Sequence, residues 1–485
     1  MRPRPNKVLA VGALTRSFRR FNTTDTPTTT TTTTTTPDVA TADTTAPKAA
    51  SAESTLSEEL DEYLKKAKTR MAARKPKILI DPLSPMNSHL LDIALQDHLP
   101  RPRHRKPQDP VRLALKETTL LPNGHHLVYF PLQAPKSALQ PDGTDPDHAP
   151  GWPFVRRMWA GGSVSFSPGL IFNPSFDTKG WCIESVGEPV LKRGSGPGDE
   201  KVFVEVKRQY GYAPAALLAE LSPSKLLEKH QSVQMEEIRK LVFMRERGPV
   251  KVADGTEPAP PARIIKSNSK PQYSFTLNPD PTLLFQFSAL TYNAHAIHLD
   301  PDYARNQEGY PERLVHGPLT LVLMLTALRR LLRRTDPARR PSPREPSKKL
   351  EDSTLLEEIN YRNLAPLFVG QEIRVCVRET ARKVGSGTQT WELWVEGPDG
   401  SLAVRGTATT RRAGVTAGRK TEGMGWKEAF DGPRWLDGLP AFSKYVFYDP
   451  ATRSGSRSII EGRTDGVEEG KKTEGESEKG GEEKV

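Results

Sequence analysis

From Pro318 to Leu332 the chain is almost wholly apolar, with Leu319, Leu321, Val322, Leu323, Met324, Leu325, Leu328, Leu331 and Leu332 leaving little polar surface. Pro318 suits a first helical turn, where its missing N–H is no loss. A helix apolar all round is buried inside a domain or inserted in a bilayer. These fifteen residues fall short of the roughly 20 that a membrane span requires. Arg329, Arg330, Arg333 and Arg334 close the segment. The fold must therefore wrap protein around this helix.

The segments near it suggest what does the wrapping. Lys201 to Lys207 alternates with period two, placing Val202, Val204 and Val206 on one face. Ile373, Val375 and Val377 alternate with Arg374, Cys376 and Arg378, and Trp391 to Val395 and Leu402 to Thr409 follow the same rule. This is the pattern of half-buried antiparallel strands. Gly397-Pro-Asp-Gly400 between the last two is a hairpin turn signal. Gln231 to Arg245 and Leu355 to Arg362 bear a weak likeness that hints at two related halves.

Composition bounds the rest. Of 485 residues 35% are hydrophobic and 44 are proline, so part of the length is expected to be tail or linker. Folded structure is expected from near Val111, after a helical segment at Leu56 to Ala73 and a Pro-rich stretch. The first 24 residues carry six basic side chains and no acid, among scattered apolar residues. That is the composition of a mitochondrial transit peptide, a disordered basic start being the other reading. Thr28 to Thr36 is an unbroken threonine run and reads as linker. Ala451 to Val485 reads as a solvated tail. Cys182 and Cys376 are the only cysteines, too few for a disulfide framework or a cysteine-based zinc site.

The chemistry concentrates between Phe287 and Pro318, where three of the ten histidines fall, as His295, His298 and His316. Pro301 disfavours helix at Asp300, so His295 and His298 sit on a loop or short turn. His295, His298 and Asp300 offer nitrogen and oxygen ligands, but their spacing matches no familiar tetrahedral set, and no metal is expected. His298 suits a general base, because imidazole titrates near neutrality. Asn293 is placed to hold a water or hydroxyl beside it. The other reading is that these histidines cap a helix or satisfy loop carbonyls.

The stretch around Asn293-Ala-His295-Ala-Ile-His298 resembles the hydratase motif of the MaoC-like hot-dog family. The likeness runs to its branch of mitochondrial 3-hydroxyacyl-thioester dehydratases (type 2) and mesaconyl-C4-CoA hydratases. Arg156 to Gly162, Gly309-Tyr-Pro, Leu314 to Pro318, Tyr361 to Gly370, Trp394 and Gly400 to Gly406 resemble that branch too. The likeness covers roughly Trp152 to Thr410. It places the family's catalytic histidine on His298, its aspartate on Asn293 and its asparagine on His295. An Asn amide orients water or hydroxyl but takes no proton, so His298, helped by His295, would carry the acid–base work. The family's thioester carbonyl would bind at His316-Gly317. There a backbone N–H with the helix dipole behind it stabilises a developing enolate oxygen, and Gly317 permits close approach. The other reading is that Gly317 and Pro318 only shape the helix start. Trp159 and the glycines beside it would help shape an acyl tunnel or an interface between halves, but core packing is the commoner role for an aromatic near glycine, and they are not counted as catalytic.

The resemblance implies an α+β double hot-dog, two antiparallel sheets each wrapped around a central helix, with disordered termini. The expected divisions are 1–50 transit peptide and Thr-rich linker, 51–110 helical and Pro-rich linker, and 111–250 a first half without catalytic motif. Residues 270–412 form the second half, with the hydratase motif, and 451–485 the tail. The first half would complete the sheet and open room for a long acyl chain. The implied reaction interconverts (3R)-3-hydroxyacyl and trans-2-enoyl thioesters in mitochondrial fatty acid synthesis in the matrix. Acyl carrier protein or coenzyme A would carry the substrate. No cofactor, nucleic acid or membrane span is implied, and a homodimer is an allowed assembly. One rival is a hydratase of a small CoA thioester such as mesaconyl-C4-CoA. Another is a catalytically silent hot-dog protein that binds acyl groups or nucleic acid. A net charge of +11 and a pI near 9.4 favour an anionic partner in general, but no RNA-binding motif is present. The basic insert 329–349 suits an acidic carrier surface or the phosphates of coenzyme A, or else is a solvated insertion.

Overall fold

The computed structural model describes residues 46–100, 120–167, 169–171, 178–194, 198–220, 222–229, 233–246, 265–335, 354–383 and 387–412. The basic start and Thr run expected to be transit peptide and linker, most of the insert 329–349 and the stretch 451–485 expected to be a tail lie outside them.

Helix α1 (Ala46–Ala72) leads into strand β1 (Lys77–Asp81) and helix α2 (Pro85–Gln96). Short 3-10 turns precede strands β2 (Phe154–Phe166), β3 (Thr178–Val186), β4 (Val190–Lys192) and β5 (Lys201–Pro214). Helices α3 (Ala215–Glu220) and α4 (Pro223–Lys229) connect to β6 (Met235–Arg245). The second half runs through β7 (Tyr273–Leu277), α5 (Pro281–Thr291), the single turn α6 (Ala296–Leu299) and the long helix α7 (Gly317–Thr335). Strands β8 (Thr354–Asn363), β9 (Ile373–Lys383), β10 (Thr388–Glu396) and β11 (Leu402–Arg412) complete it.

The alternating segments behave as their period demands. Val202, Val204 and Val206 are buried in β5, and Ile373, Val375 and Val377 are buried in β9. Gly400, at positive φ, donates its N–H to the Gly397 carbonyl at 3.0 Å and closes the β10–β11 hairpin. The α7 side chains from Leu319 to Leu328 are all buried, polar Thr320 and Thr326 included, as are Leu331 and Leu332. Packing on every side explains why the sequence carries no polar stripe there. Two of the four closing arginines reach neighbouring segments. Arg330 donates to the Pro100 carbonyl at 2.8 Å, and Arg334 lies over the Tyr273 ring.

Two separate sheets were expected, but the described strands form one. Its order is β1-β3-β5-β6-β2-β8-β11-β10-β9-β7, antiparallel throughout, with β4 beside β5. Setting β4 aside, each half counts its strands first, third, fourth, fifth, second from the outer edge inward. By that order β2 corresponds to β8 and β6 to β11, so the likeness between 231–245 and 355–362 does not mark equivalent strands. The seam is β2 against β8, with Gly161 opposite Arg362 and Gly162 opposite Tyr361. A Cβ on Gly161 would overlap the Tyr361 carbonyl, and one on Gly162 the Ile238 carbonyl. Gly161 is thus what lets β2 approach β8 across the seam, while Gly162 lets β2 approach β6 within the first half.

Folded structure also begins before Val111. β1 pairs with β3, and Leu91 and Leu95 of α2 are buried in the main core. Both halves use one local plan: an edge strand, a capping Ser84 or Asp280, then Pro85 or Pro281 at the first helical position. Among the described residues only the second half goes on to a long central helix. Its counterpart stretch in the first half holds 3-10 turns.

Candidate active site

The polar loop between α5 and α7 carries the histidines. α5 ends at Tyr292, which adopts a left-handed backbone at φ 52 and turns the chain out of the helix. The Asn293 side-chain oxygen then accepts the His295 N–H at 3.1 Å, an Asx turn that sets up α6. Asp300 is extended, as expected of a residue before proline.

The three rings come together at the start of α7. His298 stacks on His316 with centroids 3.7 Å apart, and His295 stands edge-on to His298 at 5.5 Å. His298 Nδ1 lies 2.8 Å from the Leu314 carbonyl oxygen. A carbonyl only accepts, so Nδ1 carries the proton and Nε2 keeps its lone pair. His316 Nε2 is 2.8 Å from Ser288 Oγ, and its Nδ1 has no partner among the described residues. His316 is 0% exposed, His295 3% and His298 8%, so His298 is the ring that retains most access to solvent.

Burial, more than any charge, sets the titration of these rings. It pushes His298 down to about 4; the Leu314 bond opposes this and nearby Arg157 adds to it. Burial also lowers His295 and His316 well below the ordinary imidazole value, helped by Arg157 and His298 for the former and by His298 and His295 for the latter. All three rings are neutral at pH 7, and the His298 Nε2 keeps a free lone pair there.

The first half supplies groups that the sequence did not single out. The Asp142 carbonyl accepts the Ala296 N–H at 2.8 Å, and Asp142 Oδ2 lies 3.4 Å from His295 Nε2. The following Gly143 sits so close that a Cβ there would overlap the Ala294 carbonyl. The sequence signal for this loop is the Asp-rich turn Pro141-Asp-Gly-Thr-Asp-Pro-Asp147.

A cavity of about 470 Å³ opens beside the loop, walled by Asn293, Ala294, Pro318, Trp159 and Arg157 among others. Asn293 and the first turn of α7 thus face the same space. His316 is the residue before that turn, and its carbonyl accepts the Thr320 N–H at 3.2 Å. The Gly317 and Leu319 N–H groups therefore begin the helix without intrahelical acceptors. The space a Cβ would take at Gly317 is filled by Asn363 Nδ2, at 2.8 Å, and Trp159 Cβ, at 2.9 Å. Glycine here seats the helix against β2 and β8, a packing role. His316 touches His298 through the stack, its own ring being wholly enclosed.

Metal-ligating types meet once among the described residues, in Asp145, His148 and Glu184. His148 Nε2 lies 2.9 Å from Glu184 Oε1, while Arg208 holds Glu184 Oε2 at 2.6 Å and Lys77 stands 3.9 Å from Asp145. Two cations already compensate the two carboxylates, so the group reads as an ion-pair network.

Residues 124–369 match the family model described as hydroxyacyl-thioester dehydratase type 2. The chain is 29% identical over 290 residues to the mesaconyl-C(4)-CoA hydratase of Chloroflexus aurantiacus, covering 59% of this chain and 82% of that protein. It is 28% identical over 311 residues to the mitochondrial hydroxyacyl-thioester dehydratase type 2 of Schizosaccharomyces pombe, covering 62% and 90%. A solved MaoC-like dehydratase from Phytophthora capsici aligns at 14% identity with a TM-score of 0.39, covering 70% of this chain and 96% of that one.

Proposed function

Because the chain belongs to the hydroxyacyl-thioester dehydratase type 2 family, and so is a MaoC-like hot-dog hydro-lyase acting on a thioester, we propose that it interconverts (3R)-3-hydroxyacyl and trans-2-enoyl thioesters. The observation that carries this reading is the His298 Nδ1 bond to the Leu314 carbonyl, which leaves Nε2 as a neutral base. That base lies in the loop whose Asn293 shares a cavity with the first turn of α7.

In the dehydration direction Nε2 takes the C2 proton. The electron pair shifts onto the thioester oxygen, which accepts from the Gly317 N–H at the positive end of α7. The pair returns to form the C2=C3 bond as the C3–O bond breaks. The imidazolium hands its proton to the departing hydroxyl, which leaves as water. Asn293 orients that hydroxyl through its amide, and His295, backed by Asp142, fixes the loop. Protons and electrons balance without an outside partner.

The two halves of the sheet, 111–250 and 270–412, are read as two hot-dog units joined edge to edge at Gly161 and Gly162, the first without a catalytic set. The Arg-rich, acid-free start and the mitochondrial description of the S. pombe relative support a place in the mitochondrial matrix, and the carrier proposed there is acyl carrier protein or coenzyme A. No described helix is long and apolar enough to cross a membrane. The test is hydration of crotonyl and longer enoyl thioesters on carrier protein and on coenzyme A. Turnover on either supports the reading, and none on any contradicts it.

A further inference from the structure

The loop that carries the histidines is held from the first half at two places. At its start the Asp142 carbonyl accepts the Ala296 N–H, and the Asp142 carboxylate faces His295. Beyond His298 a second tie crosses from β2. Arg156 Nε lies 2.8 Å and Nη2 2.6 Å from Glu308 Oε2, and Nη2 also reaches the Glu308 carbonyl at 3.4 Å. The guanidinium thus grips the side chain and the main chain of one residue together. Arg156 is 8% exposed and Glu308 4%, so both charges have left water. Desolvation offsets much of the attraction in such a pair, and its best-attested use is to fix a single arrangement. Glu308 closes a π-helical turn (Tyr303–Gln307), its N–H donating to the Tyr303 carbonyl at 3.2 Å. Widened turns of this kind recur at functional sites. Gly309, at φ 72, then turns the chain, and the Tyr310 N–H returns to the Ala304 carbonyl at 2.9 Å. The same turn leads on to Leu314, whose N–H donates to the Ile297 carbonyl at 2.9 Å and whose own carbonyl accepts from His298 Nδ1.

We propose that Arg156 and Glu308 are positioning residues for His298: their ion pair locks the turn 308–314 to β2, so that the Leu314 carbonyl meets Nδ1 and Nε2 is left bare. Neither side chain needs to touch the substrate. Without Arg156 the Glu308 carboxylate is drawn toward water, the turn shifts, and the Leu314 carbonyl leaves the ring. His298 then divides its proton between the two nitrogens, and the fraction with a lone pair at Nε2 falls. The first half thereby supplies the frame of the catalytic loop as well as half of the sheet. The inference rests on His298 as the base of the hydratase reading.

The test uses the full chain with isotope-labelled histidine nitrogens. In nitrogen NMR a ring nitrogen that carries a proton and one that holds a lone pair resonate far apart, so the spectrum reads the tautomer without any turnover. The His298 signals are those missing from His298→Gln. The wild type is expected to show the Nδ1–H form alone. In Arg156→Met, and in Arg156→Met/Glu308→Leu, both forms are expected. Crotonyl thioester hydration should then fall on the order of 100-fold in kcat, with KM little changed, as for a misplaced reacting group. Arg156→Lys keeps the charge without the fork and should recover part of the rate. The double variant puts apolar side chains where the buried pair was, an exchange that cores commonly tolerate, and so serves if the single variant fails to fold. A folded double variant whose His298 stays wholly Nδ1–H overturns the inference, and so does a wild type that already mixes the two forms. If the wild type hydrates no thioester, the hydratase reading falls, while the tautomer comparison still decides whether the pair sets the ring.

Discussion

His298 and His316 stack with their ring centroids 3.7 Å apart and their planes 23° from parallel. One ring is anchored through Nδ1 to the Leu314 carbonyl, the other through Nε2 to Ser288. The stack fixes the plane in which the His298 lone pair can act. It also adds to the burial that keeps His316 neutral beneath His298.

A pH–rate profile reads this arrangement directly. A solvated histidine base loses activity below about 6.5. Here burial holds His298 near 4, so kcat/KM for hydration is expected to stay level from pH 8 to pH 5 and to fall near pH 4. Circular dichroism at each pH separates titration from unfolding, and an acid limb near 6.5 in folded protein contradicts the assignment.

Stability should depend on pH over a higher window. Burial lowers the folded pKa of His125, His126, His295, His298 and His316, with His126 and His298 both near 4. Between about 6.5 and 4 the unfolded chain binds protons that the folded chain refuses. Their contribution is complete above 6.5 and is lost as pH falls toward 4, by about 1.4 kcal/mol per pH unit for each histidine. Thermal melts should show Tm dropping steadily from pH 7 to pH 4.5. A flat Tm over that range contradicts the neutral, buried rings.

Gly317→Ala tests the helix start. The new Cβ would lie 2.9 Å from Trp159 Cβ and 2.8 Å from Asn363 Nδ2, pressing α7 away from β2 and β8. A loss of about 1–3 kcal/mol in urea unfolding is expected from such overpacking. Because the donor to the thioester oxygen moves with the helix, kcat should fall by more than KM changes. An unaffected kcat in a folded variant removes the oxyanion role.

Much of this was legible along the chain. The almost wholly apolar run at Leu319 to Leu332 announced a buried helix, and β-branched apolar residues at every second position announced β5 and β9. Both signals are local and periodic. Lys77–Asp81 was hidden, being five residues beside a Pro-rich stretch whose strand character comes from pairing with β3. The site divided in the same way. His298 stood out because its whole motif lies within six residues. Asp142 and Arg157 reach the same loop from the other half of the sheet, and nothing local distinguishes Arg157 from its neighbour Arg156. Only the fold shows that one is paired and the other faces the cavity. The continuous sheet was also invisible, because its seam depends on the absent side chain of Gly161.

The most direct test of His298 as the base is the rate of crotonyl thioester hydration by the wild type beside His298→Gln, with melting curves to confirm that both are folded. The glutamine keeps an amide that can bond to Leu314 but has no basic nitrogen at the reacting end. A fall in kcat of about 10²–10⁴-fold is expected with the fold intact. A folded His298→Gln enzyme that turns over as fast as the wild type contradicts the account.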